Sequence, residues 1–159
     1  MKKIFICIVL FLLFVFSSFS QSERKIALGM GPEWNMNSRE NFAGGMAVCF
    51  DYMLPYSFTA GSSLSTGALF TASYNFNNFT VLEPALLLRL YFNGGGVGLF
   101  AQAETGVFIF LEDGDVSPMF LGWLRGGYRV GFGTYYVEPY VRIGYPFAFG
   151  IGAIAGVRL

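Results

Sequence analysis

Ten charged residues in this chain could do chemistry with one another: Glu33, Asp51, Glu83, Glu104 and Glu138, and Arg89, Arg125, Arg129, Arg142 and Arg158. Carboxylates and guanidiniums in such numbers support two kinds of work. One is acid–base catalysis by a carboxyl group whose proton affinity has been displaced by burial, and the other is a structural network of paired charges. The second is expected here, as an interior charge network with five acids balancing five bases. The chain contains no histidine, which excludes His-dependent triads, His-containing metal sites and hydrolysis through a His base. "EDGD" (Glu112–Asp115) puts three carboxylates in a turn but lacks the ligand spacing of a calcium loop. "NGGGVG" (Asn93–Gly98) precedes a strand pattern and not a helix, so it reads as a tight turn and not a phosphate cradle. Cys49 is expected to be a small buried side chain. No catalytic, cofactor-binding or metal-binding residue is assigned, no cofactor is expected, and the chain is read as a non-enzyme.

What holds these charges in place is a period of two. Alternate residues of a strand share a face, and in "LEPALLLRLYF" one phase reads Glu83, Ala85, Leu87, Arg89, Tyr91 and the other Leu82, Pro84, Leu86, Leu88, Leu90, Phe92. "YVEPYVRIGY" repeats the pattern, with Tyr136, Glu138, Tyr140 and Arg142 opposite Tyr135, Val137, Pro139, Val141 and Ile143. Arg125 and Arg129 share a face with Gly127 and Gly131. In the last segment Phe147, Phe149, Ile151, Ala153, Ala155, Val157 and Leu159 oppose Ala148, Gly150, Gly152, Ile154, Gly156 and Arg158. The uncharged phase is too continuously apolar for a sheet face wetted by water.

Turn residues divide the chain into strands over 26–34, 42–53, 57–72, 80–92, 97–110, 119–132, 135–144 and 147–158. The stretches between them, 35–41, 54–56, 73–79, 93–96, 111–118, 133–134 and 145–146, are expected as turns and loops. Segment 57–72, with Ser62, Ser63, Ser65 and Thr66, alternates poorly. Pro84 and Pro139 fall inside strands, which predicts bulges or different strand limits, because proline lacks the N–H a ladder requires. Phe100, Phe108 and Phe110 share Glu104's face, so that strand either carries a bulge or fills the interior with rings. At "FGTY" (Phe132–Tyr135) a glycine in the first central position suits a type II′ hairpin. Such a turn pairs Arg129 with Glu138 and sets Arg125 beside Arg142, which requires an acid such as Glu104 between them.

Residues 1–20 read as a secretory signal peptide: Lys2 and Lys3, an apolar run from Ile4 to Phe16, then Ser17-Ser18-Phe19-Ser20. Cys7 lies within that run, so Cys49 is left without an intramolecular partner in residues 21–159. Those residues hold eight basic against ten acidic side chains, a balance that does not point to nucleic acid. The chain is 54% hydrophobic and 19% aromatic, yet no apolar run of spanning-helix length follows Gln21. An all-β fold follows: an eight-stranded antiparallel up-and-down transmembrane β-barrel over residues 21–159. Turning an arginine to lipid near the midplane costs about 2 to 4 kcal/mol, so the charged phase is expected inside.

The signal peptide, "LEPALLLRLYF", "YVEPYVRIGYPFAFG" and the ending "FGIGAIAGVRL" resemble the small bacterial outer-membrane β-barrel proteins of the OmpA, OmpX and OmpW type. Those chains commonly end in an aromatic residue, where this one has Leu159. The resemblance implies a bacterial outer-membrane location, outer-membrane lipid and the barrel-assembly machinery as partners, and both termini in the periplasm. Aromatic girdles are then expected at Tyr52, Phe58, Phe92, Phe132 and Tyr135 on one rim and at Trp34, Phe42, Phe120, Tyr145 and Phe147 on the other. Three roles remain open at this point. One is a structural or surface-interaction protein acting through short rim loops, and a second is a narrow, porin-like conduit for small or hydrophobic solutes along Gly127, Gly131, Gly150, Gly152 and Gly156. The third is a soluble exported barrel holding a lipid inside, which requires the apolar phase to point inward.

Overall fold

A computed structural model of the chain describes residues 24–36, 42–56, 61–75, 79–93, 95–112 and 115–159. The expected signal peptide lies outside the described residues, as do the front of the expected third strand at 57–60 and Phe58 with it. The described strands are β1 (Ile26–Met36), β2 (Phe42–Met53), β3 (Ser63–Asn75), β4 (Phe79–Tyr91), β5 (Gly98–Glu112), β6 (Asp115–Phe132), β7 (Tyr135–Tyr145) and β8 (Phe149–Arg158). Each pairs antiparallel with its sequence neighbours, and β1 pairs with β8 to close the barrel. Closure leaves no continuous sheet edge exposed.

The side chains follow the period of two. In β1, Ala27, Gly29, Gly31, Glu33 and Asn35 are buried while Leu28, Met30, Pro32 and Trp34 are exposed. In β7, Tyr136, Glu138, Tyr140 and Arg142 are buried between exposed Tyr135, Val137, Pro139 and Val141. A lipid-binding interior would need the opposite arrangement. Leu86 and Leu88 of β4 face outward while Glu83 and Arg89 face inward.

Among the described residues the third strand runs over 63–75, so 61–62 lie outside it and Ser73–Asn75, expected in a loop, lie in the sheet. Its inward face carries Ser65, Leu69, Thr71, Ser73 and Asn75. Small polar residues fill that stave without a charge, so its alternation has little hydrophobic contrast. β5 and β6 also run past their expected ends, pairing from Gly98↔Arg129 to Glu112↔Asp115. The expected loop at 111–118 is therefore largely ladder. Pro118 is tolerated because β6 pairs with β7 only from Gly122 onward, so its missing N–H faces no partner strand there.

Pro84 and Pro139 sit in neither bulges nor turns. The register of β3 on β4 passes through Phe70↔Pro84, and that of β7 on β8 through Pro139↔Ala153, without an extra residue. In an antiparallel ladder a residue's N–H points toward one neighbour only, so each proline forgoes one bond on one side. The paired residues skip Pro84 between β4 and β5 and Pro139 between β6 and β7. Gly106 and Gly127 sit on those neighbouring strands, where an added Cβ would collide with the carbonyl oxygens of Pro84 and Pro139 respectively. Glycine is thus what allows close approach beside each proline.

Candidate functional site

The turn at Phe132–Tyr135 sets the register from which the interior follows. Gly133 has φ of 63°, a left-handed value that favours glycine, and Phe132 pairs with Tyr135. Counting back, Arg125 pairs with Arg142, and Arg129 Nε lies 2.6 Å from Glu138 Oε2. Around this hairpin the inward charges form two clusters stacked along the barrel axis.

The first cluster lies toward the Gly133 turn and joins four staves. Arg89 of β4 sends Nη1 to Asp51 of β2 at 3.1 Å and to Glu138 Oε2 at 2.9 Å, and Nη2 to Glu138 Oε1 at 2.9 Å. Arg129 of β6 reaches the same Asp51 oxygen at 2.7 Å. Two carboxylates and two guanidiniums thus share one site, with Arg89 also donating to Tyr91 Oη at 2.8 Å.

The second cluster lies toward the β5–β6 hairpin. Arg125 holds Glu104 at 2.6 Å and Glu33 at 3.4 Å, while Arg142 holds Glu33 at 2.7 Å, Glu83 at 3.0 Å and Glu104 at 4.0 Å. Glu104 and Glu33 therefore stand between the two like-charged neighbours Arg125 and Arg142, as their pairing requires. Gln102 bridges the clusters, accepting from Arg89 Nε at 2.5 Å and donating to Glu104 at 2.6 Å. Asn35, expected in a loop, accepts both Nε and Nη2 of Arg142 at 3.0 and 2.9 Å and donates to Glu33.

Each buried arginine also lies over an inward ring: Arg89 over Phe100 at 4.4 Å, Arg125 over Tyr140 at 3.9 Å, Arg129 over Tyr136 at 4.1 Å and Arg142 over Trp123 at 3.9 Å. Cation–π attraction strengthens when the cation is desolvated. Phe100 and Phe108 thus point inward with no bulge in β5, whose register on β6 is unbroken. Phe147 departs from its expected place on the outer girdle. It is buried against Phe108, with ring centroids 5.6 Å apart, because the chain bends at 146–148 before β8 begins. With Leu121 and Val81, both fully buried, these rings form an apolar layer above the second cluster.

Nine of the ten expected charges are buried. Arg158 is the exception. It is half-buried at the end of β8, past the sealed section, and donates to the carbonyls of Gly95 and Gly133 at 3.2 and 3.3 Å. Asp51, the inward acid nearest that end of β2, is already held by Arg89 and Arg129. Cys49 is buried, with Arg89 Nη2 3.9 Å from its sulfur. Glu112 and Asp115 are exposed at the hairpin, and no group of three His, Cys, Asp or Glu able to hold a metal occurs among the described residues.

No protein-family model, curated protein sequence or solved structure matches this chain. In the interior each carboxylate is fixed by guanidinium groups, and the arginines are fixed by rings and amides.

Proposed function

We propose that this chain is an integral outer-membrane barrel without enzymatic activity, its lumen closed by a salt-bridged plug, and that it acts through its outer wall and rims as a structural or surface-interaction protein. One observation carries the reading. Among the described residues, the charged side chains between the two rims all point inward, while all eight strands present large apolar side chains outward. A soluble monomer rarely exposes more than a few hundred Å² of contiguous apolar surface. A ring of apolar staves around the whole barrel matches the lipid-facing band of membrane barrels. Trp34, Phe42, Phe120 and Tyr145 at one end and Tyr52, Phe92, Phe132 and Tyr135 at the other are exposed, as interfacial anchors would be.

Two further observations support a closed lumen over a conduit. The interior glycines make room for neighbours and not for a passage: a Cβ added at Gly152 would meet the Tyr140 hydroxyl, and one at Gly150 would meet Asn35 and Arg142. The Phe108–Phe147 layer then covers the ionic clusters on the hairpin side. Phase separation in a cloud-point detergent tests the membrane reading, with the folded chain expected in the detergent phase. Recovery in the aqueous phase would refute it. Planar-bilayer recording tests closure: the baseline is expected to stay flat, and stepwise openings would favour the conduit.

A further inference from the structure

The barrel end at which the described chain begins and finishes carries a charged basin that the ionic core does not use. Arg24 and Lys25 precede β1, and Arg158 closes β8. Together with Met53 at the end of β2 and Leu54 and Tyr56 beyond it, they line a cavity of about 780 Å³, within the usual range for small-ligand sites. The three cations pair with no carboxylate among the described residues. Arg24 and Arg158 both donate to the Gly133 carbonyl, and Arg158 also donates to that of Gly95. The Nε of Arg158 is buried and has no hydrogen-bond partner among the described residues.

The walls are a built framework and not a frayed end. Ile26 and Leu159 exchange both backbone bonds, at 3.1 and 2.8 Å, and Met53 N donates to Lys25 O at 2.6 Å. At the opposite end of the barrel, Glu112 and Asp115 are exposed among the described residues. A cationic basin with an apolar flank suits a ligand that joins a negative head to a hydrocarbon body. Guanidinium groups bind phosphate oxygens through paired, charge-assisted hydrogen bonds.

We infer that this basin binds a phosphate-bearing anion, the headgroup of an anionic lipid, through Arg24, Lys25 and Arg158. The inference rests on the membrane proposal for the source of the ligand, although the phosphate chemistry stands without it. Native mass spectrometry of the detergent-purified full chain tests it, with phosphatidylglycerol and phosphatidylcholine offered at equal concentration. Phosphatidylglycerol is expected to be retained about tenfold more, and R24Q/K25Q/R158Q to abolish the preference. Should that variant fail to fold, K25Q alone is expected to weaken the preference several-fold and K25R to keep it. Displacement of the lipid by excess inorganic phosphate would assign the site to the free anion, and persistence would assign it to the headgroup. Equal retention of the two lipids, or a preference untouched by every substitution, overturns the inference. Detergent partitioning of the same sample is read separately. A chain that stays in buffer sinks the membrane proposal, and inorganic phosphate binding then tests the basin alone.

Discussion

At the scale of single residues, the core is unequally balanced. The first cluster sets Asp51 and Glu138 against Arg89 and Arg129, while the second sets three carboxylates against Arg125 and Arg142. Glu83 touches only Arg142 among the cations, whereas Glu138 serves Arg89 and Arg129 together. Removing one partner of a buried ion pair leaves an uncompensated charge, a loss of about 3 to 5 kcal/mol. Glu138→Gln is therefore expected to lower stability by about that much in urea unfolding from detergent micelles. Glu83→Gln removes surplus negative charge and is expected to cost less than about 1 kcal/mol; equal losses would refute the unequal balance. Exchanging Arg129 with Glu138 is expected to recover little, because a guanidinium at position 138 would face Arg89. The charged members of this network were legible in the sequence because sign and phase mark them. The inward phase of Tyr136, Tyr140 and Phe100 was legible too; Asn35, Gln102, Trp123 and the cation each ring meets were not, since an uncharged side chain on the inward phase does not show which cation from another stave will meet it. Tyr136 and Tyr140, alternating with Glu138 and Arg142, were the available signal.

At the scale of elements, period two and turn chemistry carry nearly everything. β2 and β7 stand within a residue of their expected limits because strong apolar and polar contrast coincides with a turn glycine or proline. The far end of β3 is poorly marked in the sequence because its inward face uses Ser, Thr and Asn in place of charge. β6 was clipped because Pro118 reads as a breaker until one knows that no strand lies on its other side. Close backbone approach makes a specific demand on the inward glycines, beside prolines as at Gly106 and elsewhere as at Gly31 and Gly67. At Gly106 an added side chain would strike the Pro84 carbonyl and Ala85 backbone, neither of which can turn aside. Gly106→Val is expected to destabilise the barrel by about 1 to 3 kcal/mol, the usual range for overpacking. Gly126, with open space around it, is expected to accept alanine with a change under about 0.5 kcal/mol. Thermal unfolding of both variants followed by circular dichroism checks the contrast, and similar melting points would remove the close-approach argument.

At the scale of the whole molecule, the account is an inversion of the usual globular arrangement. Four guanidiniums and five carboxylates fill the axis, rings and amides seal the gaps between them, and apolar side chains coat the outer surface. Burying that many ions is costly in any medium; under the membrane proposal, what favours it is the greater cost of turning the same arginines toward lipid. Among the described residues, Arg24, Lys25 and Arg158 lie at the end where the described chain begins and finishes, and Glu112 and Asp115 at the β5–β6 hairpin. Cysteine labelling in bacterial membranes, in a Cys49→Ala background, tests the inversion most directly. Single cysteines at Val137, Val141 and Ile143 are expected to react with a lipid-phase reagent and not with a water-soluble one, while those at Tyr136 and Tyr140 react with neither. Reaction of positions 136 and 140 from the lipid phase, or of 137, 141 and 143 from water, would contradict the account.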